Sequence, residues 1–420
     1  MFLTLLGKEC SQYFKSITYY IFLFCLVIDY ISQMGVFEVP VKPEPGQEYY
    51  GMVRSEDEDL VMQDALELLI GRYEVNEYIT YPVGFYKKVI LNEKEQEQIK
   101  ESILYISGLT EDELISVYDE AHRVYEELLQ QAQQEERMLM GNEFPGYQVT
   151  PRSDLTFAEF KKEMKKVDEI LGGGSDFSEA NLRYTYVPST YEQAMEEYQS
   201  LLDKDKVTNA YARLFCDYMG IMLAVLPVFL AVTRALRDRK AQAEQVIFMR
   251  RAGSTVIVLS RYMAALFVTL VPVLILSCFT LVPAVYYAKR VGAAYDLLAF
   301  VKYTGFWLIP TILISLSVGF FITELTDSAL AVLAQIAWWF VSIFLSTGDL
   351  VGSVGWNLVP RFNAVGEYTV YEQMRQQLIK NRCFYAVFAC LLLVAAIVLF
   401  SKKRKGAFTG VGTILRNRKG

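Results

Sequence analysis

Six stretches of this chain are apolar over the length that a membrane-spanning helix requires, at roughly 17–36, 211–233, 258–286, 297–322, 328–348 and 382–400. Crossing the hydrocarbon takes about 20 such residues, because lipid offers no partner to a backbone amide and the helix must satisfy its own. The third stretch is longer than that, and Pro272 and Pro283 allow it to kink or tilt. The first reads as a retained anchor, not a signal peptide. Asp29 and Gln33 lie inside it, and no small-x-small cleavage site follows. The sequence predicts an all-α polytopic membrane protein with six transmembrane helices.

Charge is distributed unevenly around these stretches. Residues 37–206 hold 37 of the 48 acids and 17 of the 41 bases, whereas the remainder is basic. An acidic, water-soluble insert thus interrupts a basic, apolar protein, and a soluble enzyme is unlike this pattern. Lys402, Lys403, Arg404, Lys405, Arg416, Arg418 and Lys419 follow the last stretch without an acid. The loop after the second stretch carries Arg234, Arg237, Arg239, Lys240, Arg250 and Arg251 against Asp238 and Glu244. The positive-inside rule puts both on the cytoplasmic side of a plasma membrane. With six spans both termini are cytoplasmic, Lys8 and Lys15 included, and the insert is extracellular. Only the turn Glu324–Asp327 goes against the rule, and it is too short to set topology.

The insert has no cysteine, which excludes a disulfide-stapled ectodomain. His122 is the single histidine, so a zinc centre or an intramembrane metalloprotease is excluded as well. No Gly-x-Ser-x-Gly elbow is present, and no catalytic residue or metal ligand is assigned. The insert reads as mainly helical. Thr110-x-x-Glu113 and Thr156-x-x-Glu159 are capping boxes. Leu114, Val117, Ala121, Val124, Leu128 and Ala132 make an apolar stripe after the first. Shorter helices are predicted near 57–72, 92–107, 157–171 and 190–206, the last running on into the second span. Lys42–Gly46 is an extended linker and Gly172–Ser175 a turn. The acidic runs Glu56–Asp59 and Glu93–Glu97 lack the spacing of a calcium loop and read as solvated faces.

The cytoplasmic stretch 238–254 predicts a short amphipathic helix lying along the membrane. Val246, Ile247, Phe248 and Met249 form its apolar cluster, Glu244, Arg250 and Arg251 flank it, and Gly253 ends it. Such a helix suits either a groove on a cytoplasmic partner or the lipid surface.

In its order of parts the chain resembles the permease subunits of ATP-binding-cassette (ABC) exporters of the ABC type-2 superfamily, the type V exporter fold. The resemblance rests on an amphipathic elbow at 1–16, spans at 17–36, within 207–348 and at 382–400, and a coupling helix at 238–254. It also rests on an extracellular re-entrant or helical segment at 349–381, opened by Gly348-Asp349-Leu350 and running through Trp356 to Asn363, and on a basic tail at 401–420. It implies that Glu244, Gln245, Val246, Phe248, Met249 and Arg250 couple the chain to an ABC ATPase. It implies further a second permease subunit, identical or homologous. The cargo expected is an amphipathic compound, peptide or lipid moved outward. The chain lacks a phosphate-binding Gly-x-x-x-x-Gly-Lys-[Ser/Thr] loop, so ATP and magnesium are expected in the separate ATPase and no cofactor in this chain.

Ionisable residues inside spans are functional candidates because burying them is costly. Asp29, Asp217 and Lys302 fall at similar outer depths and form a candidate translocation path or gate, against the plainer reading of a structural ion pair or of side chains reaching the outer interface. Arg261 is expected to snorkel to the inner boundary. Trp338 and Trp339 read as aromatic core or groove lining, and Trp307 and Pro310 as a kink in the fourth span or, more plainly, as packing residues. The alternative to transport is a membrane-anchored receptor or a mechanotransmission protein acting through its extracellular domain.

Overall fold

The structure is a computed structural model that describes residues 2–81, 86–135, 146–345 and 350–408. Gly348, Asp349, Arg416, Arg418 and Lys419 lie outside the described residues. The chain divides into two compact units, residues 1–45 with 191–420, and residues 46–190.

The first unit is helical. It begins with α1 (Phe2–Phe14) and α2 (Ile17–Met34), and resumes with α7 (Tyr191–Asp203), α8 (Thr208–Leu223), α9 (Leu226–Lys240) and α10 (Glu244–Phe248). It continues with α11 (Ser254–Val291), α12 (Ala299–Tyr303), α13 (Ile309–Thr326), α14 (Leu330–Leu345) and α15 (Tyr368–Arg404). Helices at 17–34, 254–291, 299–326 and 368–404 are each long and apolar enough to cross a membrane; α8 and α9 make a fifth only if taken as one broken span.

The departures from six uniform spans have local causes. Pro227 sits in the first turn of α9, where its missing N–H breaks the run, and the two halves meet at 40°. The carbonyls exposed there are capped from α14: Gln335 donates to Ala224 O at 2.6 Å and Trp339 to Ile221 O at 2.9 Å. The 16 described residues of α14 rise about 24 Å, short of the roughly 30 Å hydrocarbon layer. Between α12 and α13 the helix widens into a π turn, Thr304–Leu308, just before Pro310, which agrees with the expected irregularity there.

Helix α7 does not run on into α8 as expected. Lys206 and Val207 carry φ of 51° and 56° and interrupt the helix between them. A branched residue in that region is strained. It is held because Val207 is fully buried and its N–H donates to Leu201 O at 2.9 Å.

The segment 350–366 has no helix, yet Val354, Leu358, Val359 and Phe362 are buried. Irregular backbone in such a setting needs side chains to replace the ladder it lacks. Asn381 Nδ2 donates to Gly355 O at 3.1 Å and Asn357 O at 2.9 Å, Tyr385 to Trp356 O at 2.8 Å, and Arg382 to Leu358 O at 3.2 Å. Ser342 Oγ accepts from Val359 N at 3.0 Å. The last helix therefore begins at Tyr368, well before the predicted 382, and its first turns brace this segment.

The second unit contains α3 (Glu58–Val75), α4 (Glu93–Ser107), α5 (Glu111–Gln134) and α6 (Phe157–Ile170) around one apolar cluster. Both Thr capping boxes are formed, and a third, Asn92 with Glu95, starts α4. The acidic runs serve these starts. Asp57 accepts from the N–H groups of Asp59 and Leu60 at the head of α3, where the helix dipole favours a carboxylate. Two short sheets were not foreseen. β1 (Met52–Ser55) pairs antiparallel with β4 (Thr185–Pro188), Met52 opposite Pro188, and joins the two ends of the unit. β2 (Tyr78–Thr80) pairs with β3 (Lys87–Val89). The turn at Gly172–Gly174 needs glycine, since φ is positive at all three positions (93°, 84° and 68°).

Candidate functional site at the α10 loop

The helical part of the loop between α9 and α11 is α10 alone, five residues where seventeen were expected. A helix this short cannot nucleate by itself in water, so tertiary contacts must hold it. Two are present. Ile247 and Phe248 pack into a cluster with Ala252, Ile257, Val258 and Phe400, with the Phe248 and Phe400 rings edge-on at 5.7 Å. The Arg404 guanidinium, at the end of α15, donates to Phe248 O at 2.7 Å, to Ala252 O at 2.6 Å and to Arg250 O. Carbonyls that a helix end leaves unpaired are thus satisfied by one side chain.

The anchoring divides the predicted apolar cluster. Phe248 is partly buried against the cluster, whereas Val246 and Met249 are 59% and 79% exposed. Gln245 and Arg250 are exposed as well, and Glu244 lies 3.9 Å from Arg239.

A chain of charges surrounds the loop. Arg234 holds Glu9 through two hydrogen bonds (2.5 and 2.8 Å) and Asp238 at 3.2 Å, and Arg261 also pairs with Asp238. Arg261 does not snorkel: it is 4% exposed. The burial follows from having a carboxylate to pair with. Beside this set, Lys403 meets Asp327 at 2.6 Å and Glu324 at 3.0 Å, while Arg239 meets Asp327 at 2.7 Å. The two acids that went against the positive-inside rule are therefore neutralised by bases of α9 and α15.

Among the described residues no ion pair joins Asp29, Asp217 and Lys302 to one another. Asp217 is fully buried and accepts from Arg361 Nε at 2.9 Å, Nη2 at 3.1 Å and the N–H of Phe362 at 2.6 Å. Lys302 is exposed and pairs with Asp296 at 2.6 Å, and the ammonium holds that carboxyl below its usual range. Asp29 Oδ2 is buried with no hydrogen-bond partner among the described residues. The fork of Arg361 matches a carboxylate as an ammonium does not, and Asp217 finds its counter-ion there instead of in the charge pair that similar depths allowed among Asp29, Asp217 and Lys302.

Sequence reading missed the other buried cations. Arg213, fully buried, grips Asp205 with both terminal nitrogens at 2.5 Å, donates to Gly366 O at 2.9 Å and lies 4.4 Å from the Tyr371 ring centroid. Arg382, 1% exposed, has no carboxylate partner among the described residues. It donates to Thr311 Oγ1 at 2.7 Å, Trp307 O at 3.1 Å and Asn381 Oδ1. An arginine within an apolar run was the available signal for Arg213, and Asn381-Arg382 at the mouth of the last run for Arg382.

No protein-family model, curated protein or solved structure matches this chain.

Proposed function

We propose that the chain is the membrane-spanning permease subunit of an ABC-type exporter of the type-2 superfamily, driven by separate ATPase subunits. In this reading α8 with α9 and the short α14 complete six spans, both termini are cytoplasmic in a plasma membrane, and residues 37–206 are extracellular. A second permease subunit completes the assembly, ATP and magnesium are held by the ATPase, and an amphipathic compound, peptide or lipid moves outward.

The observation that carries the reading is the construction of the α10 loop. One side is fastened to α11 and α15 through Phe248 and Arg404, and the other leaves Val246 and Met249 exposed. A force applied at the exposed side would reach two long helices through a rigid link, which is what coupling to a cytoplasmic motor requires. Apolar side chains on a short helix also suit a groove on a partner protein.

The test is a gentle-detergent pull-down from the native membrane with mass spectrometry of what accompanies the chain. Stoichiometric recovery of an ABC ATPase is expected, and Val246→Glu with Met249→Glu should abolish it while leaving the chain folded. Recovery of the chain alone, repeated after crosslinking, overturns the reading. It would favour a receptor or mechanotransmission role, for which the separate compact unit at 46–190 supplies the surface.

A further inference from the structure

A cavity of about 310 Å³ opens between α1, α9 and the loop that carries α10, and its charge is unbalanced. Five bases line it: Lys8, Arg234, Arg237, Arg250 and Arg261. Only two acids do, Glu9 and Asp238, and both are occupied by Arg234 and Arg261. Lys8, Arg237 and Arg250 are exposed, and none has a carboxylate within ion-pair distance among the described residues. The one hydrogen bond from an Arg237 side-chain nitrogen runs to a backbone oxygen, Gln12 O, at 3.5 Å.

Arg261, 4% exposed, lines the same space and is already taken up by Asp238, with its Nε 3.7 Å from Glu9 Oε1. Three uncompensated cations around one cavity call for a polydentate anion, and arginine forks match phosphate oxygens.

We propose that this cavity binds the headgroup phosphate of an anionic phospholipid. The choice of a lipid over a free anion comes from α1. Leu3 at 76% and Phe14 at 47% exposed are apolar side chains on the helix that supplies Lys8, and Ile17 at 77% follows directly. An amphipathic helix of this kind lies in the membrane interface, at the depth of the headgroups. Basic pockets between helices on the cytoplasmic side take acidic headgroups, each base contributing about 1 kcal/mol near the surface, or roughly fivefold in binding. A zwitterionic headgroup would bring its own cation to a cavity that already has three in excess. The inference does not rest on the exporter reading, because it uses only residues of this chain and the lipid around them.

The full chain is reconstituted in bilayer discs of equal parts phosphatidylcholine and phosphatidylglycerol, released, and its retained lipids are counted by native mass spectrometry. Phosphatidylglycerol should be retained over phosphatidylcholine by about tenfold or more. Lys8→Gln with Arg237→Gln should remove the preference, and Arg290→Gln, at the other end of α11, should keep it. Equal retention of the two lipids by the wild-type chain overturns the proposal, and decides it even if the double variant fails to fold. So does a folded double variant that keeps the preference. Displacement of phosphatidylglycerol by millimolar inorganic phosphate would reassign the cavity to a soluble anion and overturn the lipid assignment.

Discussion

The two units use charge in opposite ways. In the unit at 46–190 the core is largely apolar and its arginine pairs are open to water: Arg123 pairs with Glu120 and Glu127 while all three side chains remain more than half exposed, and the buried Glu163 is met by Lys166 and the Ser102 hydroxyl. In the other unit Arg213, Asp217, Arg361 and Arg382 are buried among apolar residues. Exposed pairs contribute about 0–1 kcal/mol because water competes for both partners. Buried ones are destabilising to break, since the survivor keeps its desolvation penalty. The contrast teaches where polar groups are needed. Regular helices satisfy their own backbone, and in the second unit charge serves mainly the helix starts, with Glu163 inside α6 as the exception. The irregular segment 350–366 does not, and buried side chains stand in for its missing ladder.

The contrast can be broken at several points, taken from the strongest effect to the weakest. Asp217→Ala strands Arg361 and should destabilise the first unit by about 3–5 kcal/mol, whereas Asp217→Leu with Arg361→Met should restore much of that. Hydrogen exchange over 351–363 and the thermal midpoint of the solubilised chain report it. A double variant as unstable as the single one would mean the pair does more than neutralise itself.

In the other unit the large loss should come from an apolar residue. Ile103, fully buried, should cost about 2–5 kcal/mol when replaced by alanine, measured by exchange across α3, α4 and α6.

Next comes helix capping. Thr110→Ala should weaken α5 by about 1 kcal/mol, with faster exchange confined to its first turns. Hydrogen bonds from the backbone and hydroxyl of Thr110 hold the Glu113 carboxyl below its ordinary value, and those of Thr156 do the same for Glu159. A lowered folded value means stabilisation that is complete above the unfolded carboxyl pKa of about 4.3 and is lost as pH falls through the folded one. Acidification below about pH 4 should therefore loosen the starts of α5 and α6 in the wild type, and less so in the Thr→Ala variants.

The smallest effect expected is that of Arg123→Ala, too small to resolve in the unfolding measurement despite two ion pairs. A clearly resolved loss in the same measurement would remove the distinction between the units.

Much of the second unit was legible in the sequence. Its helices fall within a few residues of expectation, because a capping box and an apolar stripe are local signals within one or two turns. The strands were missed since three or four residues carry too little alternation to be recognised. In the first unit the apolar runs located the helices, but their ends moved. The start of α15 is polar, and nothing in its composition says that it packs against buried coil. The candidate site was half legible. The loop at 238–254 stood out by its amphipathic charge, whereas Arg404 looked like any base in a stop sequence. Its three hydrogen bonds depend on a loop about 150 residues earlier in the chain.

The sequence by itself determined that this is a multi-helix, membrane-compatible chain with a separate acidic, helical unit. Hydrophobicity, periodicity and capping act between near neighbours and need no fold to be read. Tertiary structure alone decided that Asp217 answers to Arg361 and not to Lys302, that Glu324 and Asp327 are neutralised, and that Phe248 packs against Phe400. It also decided that Lys8, Arg237 and Arg250 line one cavity without counter-ions. Each is a matter of which charge lies within a few ångströms of which. Coulomb and hydrogen-bond energies fall off over such distances, while the partners stand tens to hundreds of residues apart along the chain.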